Sequence, residues 1–116
     1  MRSMNTIKHI LVANELASYR ESIAAVLRIS LPDAEVFEAD SADLNREVLR
    51  LRPDLVICSR VTSLVEGRVP NWIELYPDCD PHSTFSVRGE RYTKEQVDLD
   101  DLLAVAGRPR SVASTA

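Results

Sequence analysis

Four polar residues stand where two apolar stretches of this sequence end, and they are the ones best placed to do chemistry. Asn14 and Glu15 follow the first stretch, while Ser59 and Arg60 follow a later one. In open α/β sheets, ligands bind in the crevice outside the carboxyl ends of the strands. An amide, a carboxylate and a hydroxyl at that edge could hold a cation or a small polar ligand, and a guanidinium could hold an anion. The alternatives are a simple turn at Asn14 and an ion pair between Glu15 and Arg60.

Ser59 could also act as a nucleophile, which requires an adjacent base and an oxyanion hole. No Gly-x-Ser-x-Gly elbow surrounds it, and no histidine lies near it in the sequence. The simpler interpretation is a small polar residue that is hydrogen-bonded to backbone at a strand end. With only 3 glycines, the chain also lacks a glycine-rich phosphate loop. We therefore predict that the protein is not an enzyme, and we keep small-ligand binding or catalysis at this cleft as the alternative function.

The elements that must position these residues alternate through the first half of the chain. Apolar, β-branched stretches predict strands at 7–13, 34–39 and 53–58, and amphipathic stretches predict helices at about 18–31 and 41–50. Such alternation is typical of a parallel sheet with helices on its faces, joined by right-handed crossovers. A chain of 116 residues has the usual size of one domain.

The second half of the chain is less regular. We expect a short helix near 62–66, a strand at 72–76 and a final helix that ends at Gly107. A regular doubly wound fold would place another helix before the last strand. The sequence instead contains two extended stretches, 83–87 and 90–93, which are separated by Arg88 and Gly89 and predict a β-hairpin.

Three segments of the chain, ILVANE at 10–15, RPDLVICS at 52–59 and VDLDDLL at 97–103, resemble the receiver domain of two-component response regulators. The resemblance covers the first sixty residues and the last helix. It implies an α/β fold with a doubly wound, mostly parallel five-stranded sheet of the flavodoxin-like kind. In that fold the hairpin at 83–93 would replace helix four and remodel the face by which receivers commonly relay signals.

The chemistry of receivers is phosphoryl transfer from a kinase to a carboxylate at the end of strand three, assisted by a divalent cation. In this sequence Asn14 and Glu15 stand at the acidic pair, and Ser59 stands at the acceptor. The family's hydroxyl residue would fall near Tyr76, and its lysine near Lys94. Hard cations require several anionic oxygens. The resemblance therefore implies a vestigial phospho-site without metal or cofactor, in a pseudo-receiver that signals through protein interactions.

Three aromatic residues of the second half, Trp72, Phe85 and Tyr92, are candidate interface residues, because Trp and Tyr are enriched at interfaces. The alternative is that they fill the core space left by the missing helix, and we favour it for Trp72 and Phe85. An exposed Tyr92 would make the hairpin edge a candidate for strand pairing, with a second copy or with a partner protein.

Composition narrows the remaining possibilities. A net charge of -4 without a basic cluster argues against nucleic-acid binding. No apolar run approaches the roughly 20 residues that span a bilayer, and the N-terminus has no signal-peptide pattern, so we expect a cytoplasmic protein without a membrane partner. We expect a flexible segment at 1–6, a receiver-like domain at 7–107 and a disordered tail at 108–116. Cys79 and His82 form only a weak zinc signal, and an exposed polar loop is the expected state of both.

Overall fold

Strands and helices alternate through the first half of the chain, as the patterning predicts. The computed structural model describes residues 7–76 and 81–107. The strands are β1 (His9–Ala13), β2 (Glu35–Glu38), β3 (Leu55–Cys58), β4 (Asn71–Glu74), β5 (His82–Val87) and β6 (Glu90–Glu95). The helices are α1 (Ala17–Ser30), α2 (Leu44–Leu51), α3 (Ser63–Arg68) and α4 (Leu99–Gly107), with a 3-10 turn at Ser41–Asp43. The expectations for 1–6, 108–116 and Cys79 fall outside the described residues.

One mixed sheet contains all of these strands, in the order β2-β1-β3-β4-β5-β6. The pairings of β1 with β2, β1 with β3 and β3 with β4 are parallel. The pairings of β4 with β5 and β5 with β6 are antiparallel. The predicted α/β class is confirmed. The finer prediction, a mostly parallel five-stranded flavodoxin-like sheet, is wrong because the sheet has six strands and is mixed.

The reason for this difference lies in the connection after β4. Only residues 75–81 separate β4 from β5, whereas a parallel crossover requires about a dozen residues or more. The chain therefore turns back beside β4 and adds an antiparallel strand where a regular doubly wound fold would have a helix. A second reversal makes β6 run in the same direction as β4. The carboxyl end of β6 therefore lies on the same side of the sheet as the carboxyl ends of β1 and β3.

Two hydrophobic clusters cover the two faces of the sheet. Successive residues of a strand point to opposite faces. Ile10 and Val12 belong to the cluster that includes α1 and α4, and Leu11 and Ala13 belong to the cluster that includes α2 and α3. Strands that are covered on both faces have continuous apolar sequences, which is why β1 and β3 could be identified from the sequence.

The predicted hairpin is confirmed and is slightly longer than expected. Its two turn residues, Arg88 and Gly89, have φ values of 51° and 89°, the left-handed conformation that two-residue type I′ turns require. β5 contributes Phe85 to the core, while every residue of β6 is exposed. β6 is thus an edge strand, and no further described strand pairs with its outer side.

Candidate functional site

The carboxyl ends of β1 and β3 bring three of the predicted site residues together. Ala13 and Cys58 are paired in register at the ends of these strands. Immediately beyond them, the backbone N–H of Glu15 donates a hydrogen bond of 2.8 Å to the Ser59 hydroxyl oxygen. Ser59 therefore anchors the turn that follows β1. Its contact is the backbone hydrogen bond that the simpler interpretation predicts, rather than a nucleophile–base pair.

Asn14 is the unusual member of this group. The residue is 0% exposed, and neither its side-chain nitrogen nor its side-chain oxygen has a hydrogen-bond partner among the described residues. Its backbone oxygen accepts a hydrogen bond of 2.9 Å from the Arg20 guanidinium. Buried polar side chains are nearly always paired, and leaving one unpaired costs about 1–3 kcal/mol. The Asn14 amide is thus a buried polar group without a hydrogen-bond partner among the described residues, at the carboxyl end of β1.

Arg20 supplies a positive charge beside the carboxyl end of β1. This residue was not predicted from the sequence as part of the site. Its guanidinium bonds the Asn14 backbone and lies 3.5 Å from the Asp40 carboxylate. The side chain is mostly buried, so the position of α1 places it between the ends of β1 and β2. A basic residue six positions after Asn14 was a weak signal, because α1 could have been rotated to direct it into solvent.

The structure places Tyr76 and Lys94 in other contacts. The Tyr76 hydroxyl donates a hydrogen bond of 2.9 Å to the Val97 backbone oxygen, which ties the end of β4 to the segment before α4. Lys94 lies on β6, with its amino group 3.3 Å from the Asp101 carboxylate. β4 and β5 separate β6 from β3, a distance of three strand spacings or about 14 Å. Lys94 is therefore not assembled with Ser59.

Arg60 is exposed beside Ser59, and its ion pair with Glu15 stays a prediction. Glu74, which the sequence analysis also missed, stands at the end of β4. Its carboxylate accepts a hydrogen bond of 2.9 Å from the Val61 backbone N–H, fixing the loop that leaves Ser59. Among residues 7–76 and 81–107, no three His, Cys, Asp or Glu residues are grouped so that they could hold a metal ion.

Cys58, the last residue of β3, is buried and packs as an apolar residue. Burial raises the pKa of its thiol to about 12, and the nearby Glu74 carboxylate adds to the increase. A thiol with so high a pKa has almost no thiolate at neutral pH, and the thiolate is the reactive form. Cys58 is therefore a packing residue, as its position in the strand predicts.

A groove lined mainly by apolar side chains lies between α1 and the beginning of α4. Its volume is about 590 Å³, and its lining includes Tyr19, Ile23, Val26, Leu75 and Leu102. Two carboxylate residues, Asp98 and Asp100, also line it at the α4 end. Leu99, which also lines the groove, is 42% exposed. We refer to this feature as the α1–α4 groove.

The candidate interface aromatics divide into two groups. Trp72 and Phe85 are buried in the two hydrophobic clusters, so they contribute packing rather than a free surface. Tyr92 is 47% exposed, and its ring stacks on Phe85 with 5.0 Å between centroids. Arg91, the residue before it, lies over the Trp72 ring on the opposite face, at 5.2 Å from the centroid. Of the three candidate aromatics, Tyr92 alone is exposed at the hairpin edge.

No helix in the described part of the chain has both the length and the apolar character needed to cross a membrane. Comparisons with known proteins found no matching family model, no matching curated protein and no matching solved structure.

Proposed function

We propose that this chain is a pseudo-receiver that acts as a signalling module by binding a protein partner, independently of phosphorylation and without enzymatic activity. The observation that carries the proposal is the α1–α4 groove, an open apolar recess with carboxylates at one end. The resemblance of the sequence to receiver domains supports the signalling role. The partner that fits this surface is an amphipathic helix with apolar residues on one face and basic residues beside them.

The apolar part of the groove supports this choice of partner. Ile23 and Leu102 belong to the core, whereas Val26 is only partly covered and lies where an incoming side chain would meet it. Burying one such apolar side chain on binding contributes about 1.5–3 kcal/mol. Leu99 also lines the groove and is 42% exposed, so it adds apolar surface at the α4 end, and helix-in-groove recognition relies on such apolar contacts.

The carboxylates at the α4 end of the groove determine which charge the partner should carry there. The Asp98 and Asp101 side chains each accept a hydrogen bond from the backbone N–H of the other residue, at 3.1 and 2.9 Å, so they hold the start of α4 in place. Asp100 is exposed beside them. The chain as a whole carries a net charge of -4. Basic residues in the partner would be attracted to this end, and the attraction would weaken as salt is added.

A synthetic leucine–lysine amphipathic peptide of roughly five helical turns tests the groove, with a scrambled peptide of the same composition as control. We expect Val26→Glu to weaken binding by about tenfold or more, because it places a carboxylate in the apolar recess. Ile29→Glu is the matched control, since Ile29 lies on the same helix and is 81% exposed. Equal weakening by both variants, or equal binding of the scrambled peptide, would refute the groove as the docking surface.

Phosphorylation is tested separately, by incubating the folded protein with acetyl phosphate and Mg²⁺ and measuring the intact mass. We expect no adduct, because Ser59 replaces the acceptor carboxylate and its oxygen already accepts a backbone hydrogen bond. An adduct on the folded chain would overturn the phosphorylation-independent part of the proposal and leave the groove test unaffected.

Small-ligand binding at the strand ends is the second candidate function, and the unpaired Asn14 amide specifically favours it. A thermal-shift screen of metal ions, nucleotides and small anions tests it, with Glu15→Ala and Arg60→Ala as companion variants. If Asn14 is kept for a ligand, Asn14→Leu should abolish the shift and stabilise the free protein by about 1 kcal/mol, because it removes two unpaired polar atoms. A screen without any shift would count against this function.

A further inference from the structure

We propose that two copies of this chain pair through β6, antiparallel, so that their sheets join into one continuous sheet. The inference goes beyond the partner-binding function, because it concerns a different surface and a different occupant. Its starting point is that β6 is a six-residue edge strand, exposed along its whole length. Charged edges usually prevent such pairing, so the arrangement of the charges on β6 decides whether pairing is possible.

The hairpin turn determines which backbone groups of β6 face outward. Val87 and Glu90 flank a two-residue turn, and the residues flanking such a turn exchange hydrogen bonds with each other. Residues along an antiparallel pair alternate in this respect. The backbone groups of Tyr92 and Lys94 therefore face β5, and those of Arg91, Thr93 and Glu95 face the open edge.

Only some registers allow two copies of β6 to pair. Edge-facing residues must lie opposite edge-facing residues, and the register that does this over the greatest length places Thr93 opposite Thr93 of the second copy. Arg91 then lies opposite Glu95 of the second copy, in two symmetric pairs of opposite charge. Tyr92 lies opposite Lys94 of the second copy on the other face of the sheet, a pairing in which a cation can approach an aromatic ring.

A shift of one residue shows that this agreement is specific to the sequence of β6. In one direction it would place Arg91 opposite Lys94 of the second copy, and Glu90 opposite Glu95 of the second copy, so like charges would meet. In the other direction it would place Arg91 opposite Gln96 of the second copy, so the pair with Glu95 would be lost. The same shift would also set edge-facing backbone groups against inward-facing ones. A shift of two residues restores the hydrogen-bonding pattern, but it shortens the hydrogen-bonded overlap and separates Arg91 from Glu95. Charge and backbone geometry thus favour the same register.

The interface is small, so association is expected to be weak and to depend on concentration. Sedimentation equilibrium of the full chain over a range of concentrations should show a monomer–dimer equilibrium. Thr93→Pro should abolish the dimer and preserve the hairpin, because the N–H it removes faces the open edge. Nuclear magnetic resonance spectra check that this variant folds. A monomer at every concentration, or a dimer that survives Thr93→Pro, would overturn the proposal.

Charge variants test the register and do not depend on how Thr93→Pro folds. Arg91→Glu should weaken the dimer by at least about tenfold, since it opposes two carboxylates. The double variant Arg91→Glu with Glu95→Arg should restore most of the lost affinity. Glu35→Arg, on the opposite edge strand β2, is the control and should have no effect. Failure of the double variant to restore association would refute the register. The peptide-binding test of the α1–α4 groove can fail without changing any of these outcomes.

Discussion

β3 and β6 are strands of the same sheet that run in the same direction, yet their surroundings are opposite. All four residues of β3 are buried between two layers of helices, and all six residues of β6 are exposed at the edge. β3 therefore contributes mainly to stability, and the residue that follows it is used to anchor backbone. β6 contributes little to the core and keeps backbone groups available. Core packing, at β3, and an unpaired strand edge, at β6, are thus divided between the two halves of this sheet.

The largest effect that tests this division is the loss of a core side chain. Ile57→Ala in β3 should reduce the free energy of unfolding by roughly 2–5 kcal/mol, because Ile57 is completely buried and its removal leaves a cavity. Thr93→Ala in β6 should change it by no more than about 0.5 kcal/mol. Urea unfolding at low protein concentration measures both values. Similar losses in the two variants would contradict the division.

A smaller loss of stability is expected from removing the contact between the end of β4 and the segment before α4. Tyr76→Phe should reduce stability by about 1 kcal/mol, because it removes the hydrogen bond to the Val97 backbone oxygen and leaves that oxygen without this donor. Tyr92→Phe is the matched control, since it keeps the ring that stacks on Phe85. It should be nearly neutral. A neutral Tyr76→Phe would mean that the tie between β4 and α4 carries no stability.

The pH dependence of stability sharpens the description of β3. Because the pKa of the Cys58 thiol is raised to about 12 by burial, the unfolded chain loses this proton at lower pH than the folded chain. The contribution of the protonated Cys58 thiol to the free energy of unfolding is therefore fully present below about pH 9 and is lost as the pH rises toward 12. At pH 10 we expect this loss to be about 1 kcal/mol. Cys58→Ala should remove this part of the dependence. Identical alkaline slopes in the two proteins would contradict it.

The smallest predicted effect is a gain in stability from a substitution in the hairpin turn. Arg88→Gly should stabilise the protein by about 0.5 kcal/mol, because Arg88 has a φ of 51° and glycine adopts that conformation without strain. Glu90→Gly, two residues later in extended backbone, introduces the same residue and should destabilise by a similar amount. Thermal unfolding of both variants checks the signs. If Arg88→Gly also destabilises, the turn is not a source of strain.

The same division explains which features could be predicted from the sequence. The apolar runs of β1 and β3 and the turn residues Arg88 and Gly89 depend on local patterns, so those elements were predicted correctly. The number of strands and their directions depend on how residues 75–81 reconnect the chain, which no periodicity reveals. The sequence indicated the hairpin but not that both of its strands would enter the main sheet.

The candidate sites show the same limit. The backbone contact of Ser59 was expected, because a small polar residue at a strand end has few other partners. The α1–α4 groove was not expected, because it forms only when two helices distant in sequence, α1 and α4, pack side by side. Neither Arg20 nor Glu74 belongs to a motif. Their roles depend on the rotation of α1 and on the loop between β3 and α3.

The two-residue turn of the hairpin also has a consequence for the order of folding. β5 and β6 are joined by the shortest connection between any two described strands, whereas the parallel pairs must close long loops across helices. Local pairs close in microseconds, and non-local pairs are slower. We expect the hairpin to be formed in the transition state and to serve as the template on which β4 docks. Arg88→Gly should then accelerate refolding and leave the unfolding rate nearly unchanged, which stopped-flow kinetics can measure.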